Sequence, residues 1–206
     1  MRAALLLAAL GLPALALAGS PDLVAEGERW WSQSPDPANP VACATCHWDS
    51  AATRGWAASF PKWRALPPPE ARVMTLLQAN AEAVTRHYRV CDPRRAATAI
   101  TAFLAAQGAA VPPSPGISAG QPVFPERLRA LAASVERGRA LWARRCDACH
   151  RARDIVRTLP AYPRVVGGRV ESLEEFVEGH RTEARLAWNS PATTDLITYL
   201  TKEQRQ

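Results

Sequence analysis

Two stretches of the chain share one opening pattern, Gly27-Glu28-Arg29-Trp30-Trp31 and Gly138-Arg139-Ala140-Leu141-Trp142. In both, tryptophan follows glycine by four residues, one helical turn. Each half closes on an apolar helical segment with an aromatic near its end, Ala99-Ile100-Thr101-Ala102-Phe103-Leu104 and Leu196-Ile197-Thr198-Tyr199-Leu200. A glycine on the first helix of a unit lets the aromatic of its last helix approach the backbone closely. Ahead of the second closing segment, Ser172-Leu173-Glu174-Glu175 reads as a capping box, with Ser172 as N-cap. Leu173, Phe176, Val177 and His180 then fall at i, i+3, i+4 and i+7, so His180 lies on the apolar stripe. In the first half Val73, Leu77, Asn80, Val84 and His87 recur at intervals of 4, 3, 4 and 3, and His87 continues the inward stripe. The pattern predicts an all-α chain built from two similar units.

Breaks in the pattern set the boundaries. Residues 107–126, from Gln107-Gly108 through Val111-Pro112-Pro113-Ser114-Pro115-Gly116 to Pro125, are too rich in proline and glycine for a helix and read as an extended linker. Residues 19–106 and 127–206 form the two units. Met1–Ala18 has a positive charge at Arg2, an apolar run from Ala3 to Leu17, and a closing Ala16-Leu17-Ala18. That is the form of a secretory leader cleaved after Ala18, and it places the mature chain in the periplasm. No later stretch approaches the ~18 apolar residues of a membrane span.

Composition narrows the chemistry. The 206 residues include 48% hydrophobic and 21% charged positions, which excludes wholesale disorder. The net charge is +6, and removal of Arg2 with the leader leaves +5. Of the 25 basic residues only Lys62 and Lys202 are lysines, and no run of five like charges marks a nucleic-acid tail. Five cysteines are too few for a disulfide-dense scaffold, and the number is odd.

Four of those cysteines fall in two copies of one motif, Cys43-Ala44-Thr45-Cys46-His47 and Cys146-Asp147-Ala148-Cys149-His150. C-x-x-C-H is the attachment motif of c-type haem. On a helical turn i, i+3 and i+4 share a face, so two thiols form thioethers with the haem vinyl groups while the adjacent imidazole reaches the iron. A zinc site made of two C-x-x-C knuckles is the alternative. The histidine after each knuckle and the export leader favour two covalently bound haems. His47 and His150 are then the proximal ligands. The distal positions fall to His87 and His180, with Met74 the other donor for the first haem. Bis-histidine ligation predicts lower reduction potentials than His/Met ligation.

With the glycine–tryptophan helix, C-x-x-C-H and the aromatic closing helix in order, each half resembles a class I cytochrome c domain. The resemblance implies two tandem domains of that family, joined by the Pro-rich linker, each packing its terminal helices across each other over a haem. It implies electron transfer, with a redox protein such as another cytochrome as partner. The second half also resembles the catalytic cytochrome subunit of the thiosulfate-oxidising Sox complex. The similar segments are Leu159-Pro160-Ala161-Tyr162, Glu171-Ser172-Leu173-Glu174-Glu175-Phe176 and Ser190-Pro191. That family binds iron and carries substrate sulfur through a cysteine where this chain has His180. Histidine cannot form a persulfide, so the enzymatic alternative needs another reactive group or a labile haem ligand, as in a peroxidase.

Three features complete the reading. Matching Arg72-Val73 to Arg169-Val170 sets Ala83, rather than His87, opposite His180, about one turn away in the repeat. Cys91 lies outside both motifs and is open to a role as sulfur acceptor, ligand, intermolecular disulfide partner or plain thiol. Trp48 and Trp56 follow the first motif and are expected to pack against porphyrin.

Overall fold

A computed structural model describes residues 21–204 apart from 66–70, 91, 110, 119, 160–161, 168 and 181–184. The leader expected over 1–18 and Cys91 lie outside the described residues. In each half two helices cross at a glycine. Helix α1 (Pro21–Ser32) lies across α5 (Pro93–Gly108), and α6 (Pro125–Arg145) across α9 (Pro191–Glu203). A Cβ on Gly27 would collide with the Ala99 carbonyl and come within 2.8 Å of Phe103 Cβ. One on Gly138 would collide with the Asp195 carbonyl and come within 2.7 Å of Tyr199 Cβ. Glycine alone permits this approach, as the glycine–tryptophan spacing leads one to expect. The approach seats Trp31 beside Phe103 and Trp142 beside Tyr199, with ring centroids 6.1 and 6.4 Å apart.

Between the crossing helices the first half contains α2 (Cys43–Cys46), α3 (Ser50–Ala57), strands β1 (Lys62–Arg64) and β2 (Arg72–Met74), and α4 (Leu76–Tyr88). The second contains α7 (Ala152–Val156), β3 (Arg164–Val166), β4 (Arg169–Glu171) and α8 (Leu173–Glu178). β1 pairs antiparallel with β2, Trp63 opposite Val73, and β3 with β4, Val165 opposite Val170. These hairpins overturn the all-α expectation of two tandem class I cytochrome c domains: the chain mixes helix with two small antiparallel sheets.

The reason lies at the helix starts. Thr75 caps α4: its Oγ1 accepts the Gln78 N–H, and Gln78 Oε1 accepts the Thr75 N–H. Ser172 and Glu175 form the same box at α8, as the sequence leads one to expect. An N-cap residue has extended backbone, so the helical stripe cannot run back through Thr75 to Val73. Val73 and Val170 instead form cross-strand apolar pairs, which suit β-branched side chains.

The Pro-rich segment is bound along the first half. Ser114 N donates to Ala58 O at 2.8 Å, and Gly116 N donates to Ser59 O and Pro61 O at 2.8 and 3.1 Å. Lys62 Nζ donates to Ser118 Oγ at 2.7 Å, and Ser118 Oγ lies 3.1 Å from Ser59 Oγ. Lys62 is buried against the faces of Trp56 and Phe60. Just beyond, Arg127 of α6 lies over the Trp63 ring. The halves also meet through Gln78, which accepts from Thr194 Oγ1 at 2.7 Å and donates to Trp188 O at 3.3 Å. Among the described residues no helix is long and apolar enough to cross a membrane.

Candidate functional site

Both C-x-x-C-H segments close one helical turn. His47 N donates to Cys43 O and His150 N to Cys146 O, each at 2.9 Å. This i→i−4 bond sets the first thiol and the imidazole on one face of the turn. Each turn borders a separate cleft between the crossing helices and the helix that follows the hairpin.

The first cleft has a volume of about 180 Å³ and is lined by Cys43, Cys46, His47, Trp31, Trp56 and α4. His47 lies between the rings of Trp31 and Trp56, with centroids at 5.5 and 5.6 Å. Burial, and then the Arg64 guanidinium, pushes its pKa below the usual imidazole value. His87 lines the same cleft from the last turn of α4, where its side chain is exposed. The buried stripe of α4 runs through Leu77, Ala81, Val84 and Tyr88, so the inward position at the helix end passes to Tyr88, with His87 on the rim.

The sequence assigns Tyr88 and Arg64 no role of their own at the site. Tyr88 Oη accepts the Cys43 N–H at 3.1 Å, donates to Trp30 O at 2.7 Å and lies 3.3 Å from Cys43 Sγ. It ties the attachment turn to α1 and α4 together, and burial pushes its pKa up. Its four-residue spacing from Val84 is the signal that marks it. Arg64 lines the cleft with its guanidinium over Trp56 at 5.7 Å. It offers a cation there that only the hairpin could bring.

The second cleft is narrower, about 40 Å³, and is lined by Cys146, His150, Leu173, Phe176, Val177 and His180 together with Trp142 and α9. The apolar stripe of α8 does face it, and His180 follows one residue beyond the Gly179 cap. His180 Nδ1 lies 2.9 Å from Phe176 O, and its ring centroid is 6.4 Å from that of His150. A ring nitrogen held by a backbone carbonyl fixes the tautomer and leaves Nε2 to bind a metal.

The donor set fits a c-type haem. Such a group takes from the protein two thiols and one or two imidazoles; the first cleft is lined by Cys43, Cys46, His47 and His87, and the second by Cys146, His150 and His180, with Cys149 exposed beside it. Burial pushes the Cys43 and Cys146 thiols up, away from thiolate character. Both clefts are smaller than the roughly 300–1,000 Å³ of a typical cofactor site. The alternative zinc site is not assembled: Cys43 and Cys46 border one cleft and Cys146 another, and no three His, Cys, Asp or Glu converge as a metal-binding group among the described residues. Met74 is buried in β2 and does not line the first cleft. Trp56 does line it, whereas Trp48 is 82% exposed. A further cavity, about 380 Å³, lies between the halves against Leu104, Leu173 and Ile197 and is lined by no cysteine or histidine. Compared with known protein families, curated proteins and solved structures, the chain matches none.

Proposed function

We propose that the protein is an exported c-type cytochrome that carries electrons in the periplasm through two covalently bound haems. One observation carries the reading: His180, its Nδ1 held by Phe176 O, brings its ring to 6.4 Å from that of His150 beside Cys146. Metal–imidazole bonds of about 2 Å would set two imidazoles on opposite sides of one ion with ring centroids about 6 Å apart. Cys43 and Cys46, and Cys146 and Cys149, would hold the two haems. His47 and His150 would be their proximal ligands, with His87 and His180 on the distal sides. A bound haem supplies the one-electron chemistry. Trp31 and Trp56 in the first cleft and Phe176 in the second would shield a bound haem from water, and Arg64 would offer a cation to the acidic groups of the first. Four haem propionates also offset most of the +5 charge that remains once the leader is removed.

Two imidazoles held at each haem, His47 with His87 and His150 with His180, would leave no site open to substrate, which would suit a carrier and hinder a catalyst. The partner is a redox protein, and another cytochrome meets the requirement. The form of residues 1–18 supports export, and the oxidising compartment suits cysteines held as thioethers. Electron paramagnetic resonance of the oxidised holoprotein tests the reading and should give two low-spin bis-histidine signals. A high-spin iron, or a reduced iron that binds carbon monoxide readily, would instead indicate a haem catalyst. His180→Ala should turn one haem high-spin.

A further inference from the structure

Helix α8 has only six residues, far below the ~12–15 at which an isolated helix is even marginal, so tertiary contacts must hold it. It uses two faces. Leu173, Phe176 and Val177 line the second cleft and lead to His180. Glu174 and Glu178, four residues apart, turn toward the first half. Thr75 Oγ1 donates to Glu174 Oε1 at 2.5 Å, and both residues are buried. Arg94 Nη1 donates to Glu178 Oε2 at 2.9 Å, and Arg94 Nε lies 3.9 Å from Glu175 Oε1. The Arg94 guanidinium stacks over Trp188 at 4.9 Å, and Trp188 N donates to Glu178 Oε1 at 3.4 Å.

Among the described residues, the polar contacts that fix α8 from the first half come from an N-cap and a first turn of that half: Thr75 at the start of α4 and Arg94 at the start of α5. We infer that the first half clamps the distal-ligand helix of the second, with Thr75 and Arg94 as positioning residues for His180. The inference rests on the reading that His150 and His180 share one iron. Each contact acts through the helix on a ring whose only described hydrogen bond is to that same helix, at Phe176 O. Loosening α8 loosens the carbonyl that aims the imidazole, so occupancy of the distal position in one half depends on contacts made by the other.

The test compares the holoprotein with Thr75→Val, Arg94→Gln, the double variant and His180→Ala. The readouts are electron paramagnetic resonance when oxidised and the rate of carbon monoxide binding when reduced. Hydrogen bonds to charged groups are strong enough that the double variant should raise the rate at one haem about tenfold, with the other haem unchanged. Arg94→Lys keeps a bond to Glu178 and should restore most of the wild-type rate. Arg94 is partly exposed, so Arg94→Gln alone should show the same change at smaller amplitude if the double variant does not accumulate. Wild-type spectra and rates in the Arg94→Gln and double variants, alongside a high-spin haem in His180→Ala, would overturn the clamp. A His180→Ala spectrum identical to wild type would overturn the ligand assignment instead.

Discussion

The backbone carbonyl of Asp195 lies directly over the α-carbon of Gly138 where α6 crosses α9. The carboxylate of the same aspartate accepts from Ser134 Oγ at 2.6 Å and from Arg137 Nε and Nη2 at 2.7 and 2.8 Å. Both ends of Asp195 thus hold α6, one by hydrogen bonds and the other by close packing that needs glycine. Gly138→Ala gains helix propensity of about 1 kcal/mol. It also forces a methyl group onto a backbone carbonyl that cannot swing aside, and overpacking of that kind costs about 1–3 kcal/mol or more. Net destabilisation is expected in denaturant unfolding of Gly138→Ala, and of Gly27→Ala at the matching crossing. A variant as stable as wild type would show that the helices can part without loss.

Tyr88→Phe deletes one oxygen with two partners. The Cys43 N–H and the Trp30 carbonyl lose their hydrogen bonds together. An orphaned, partly buried polar group costs about 1–3 kcal/mol. On the proposed reading of the Cys43–His47 turn as a haem-attachment site, that turn should also become mobile, and mass spectrometry of the secreted variant should find fewer haems per chain than in wild type. Full loading at unchanged stability would remove Tyr88 from its positioning role.

Gly116 fixes the course of the Pro-rich segment. Its φ is +82°, and a Cβ there would lie 2.6 Å from Leu131 Cδ2. A non-glycine residue in the left-handed region costs about 1–2 kcal/mol before any clash is counted. Gly116→Ala should release the segment from Ser59 and Pro61, and limited proteolysis should cut within residues 112–118 faster than in wild type.

Much of this architecture is legible in short-range spacing. Glycine and tryptophan one turn apart foretell both helix crossings, Ser172 with Glu175 foretells the start of α8, and the stripe through Phe176 and Val177 carries His180 to the second cleft. What escapes is what three-residue strands and distant partners decide. Val73 and Val170 sit in hairpins too short to show a period of two, so Val73 reads as the first position of a helical stripe. His87 and Tyr88 are neighbours, and only the packing of α4 decides which of them turns inward. The seat of Ser118 on Lys62, and of Thr75 on Glu174, depends on contacts 56 and 99 residues apart in sequence, which no local pattern encodes.

Two buried ionisable groups, Glu174 and Lys62, should contribute opposite limbs to the pH dependence of stability, meeting near pH 7. Burial pushes the Glu174 carboxyl up to about 7 from 4.5, partly opposed by the Thr75 hydrogen bond. Between those values the folded chain holds a proton that the unfolded chain has lost, so stability falls as pH rises from about 4.5 to 7. Burial, reinforced by Arg64 and Arg127, pulls Lys62 down to about 7 from 10.5. Between those values the unfolded chain holds the extra proton, so stability climbs as pH rises from about 7 to 10. Glu174→Gln keeps an acceptor for the Thr75 hydroxyl and removes the charge; its stability advantage over wild type should grow from pH 4.5 to 7 and then level off. Lys62→Met removes the desolvated cation and fills its space; its advantage should be greatest below pH 7 and shrink toward pH 10. Thermal unfolding across pH 4–10 separates the two limbs. If the difference between wild type and Lys62→Met does not change with pH, Lys62 keeps its ordinary proton affinity in the fold.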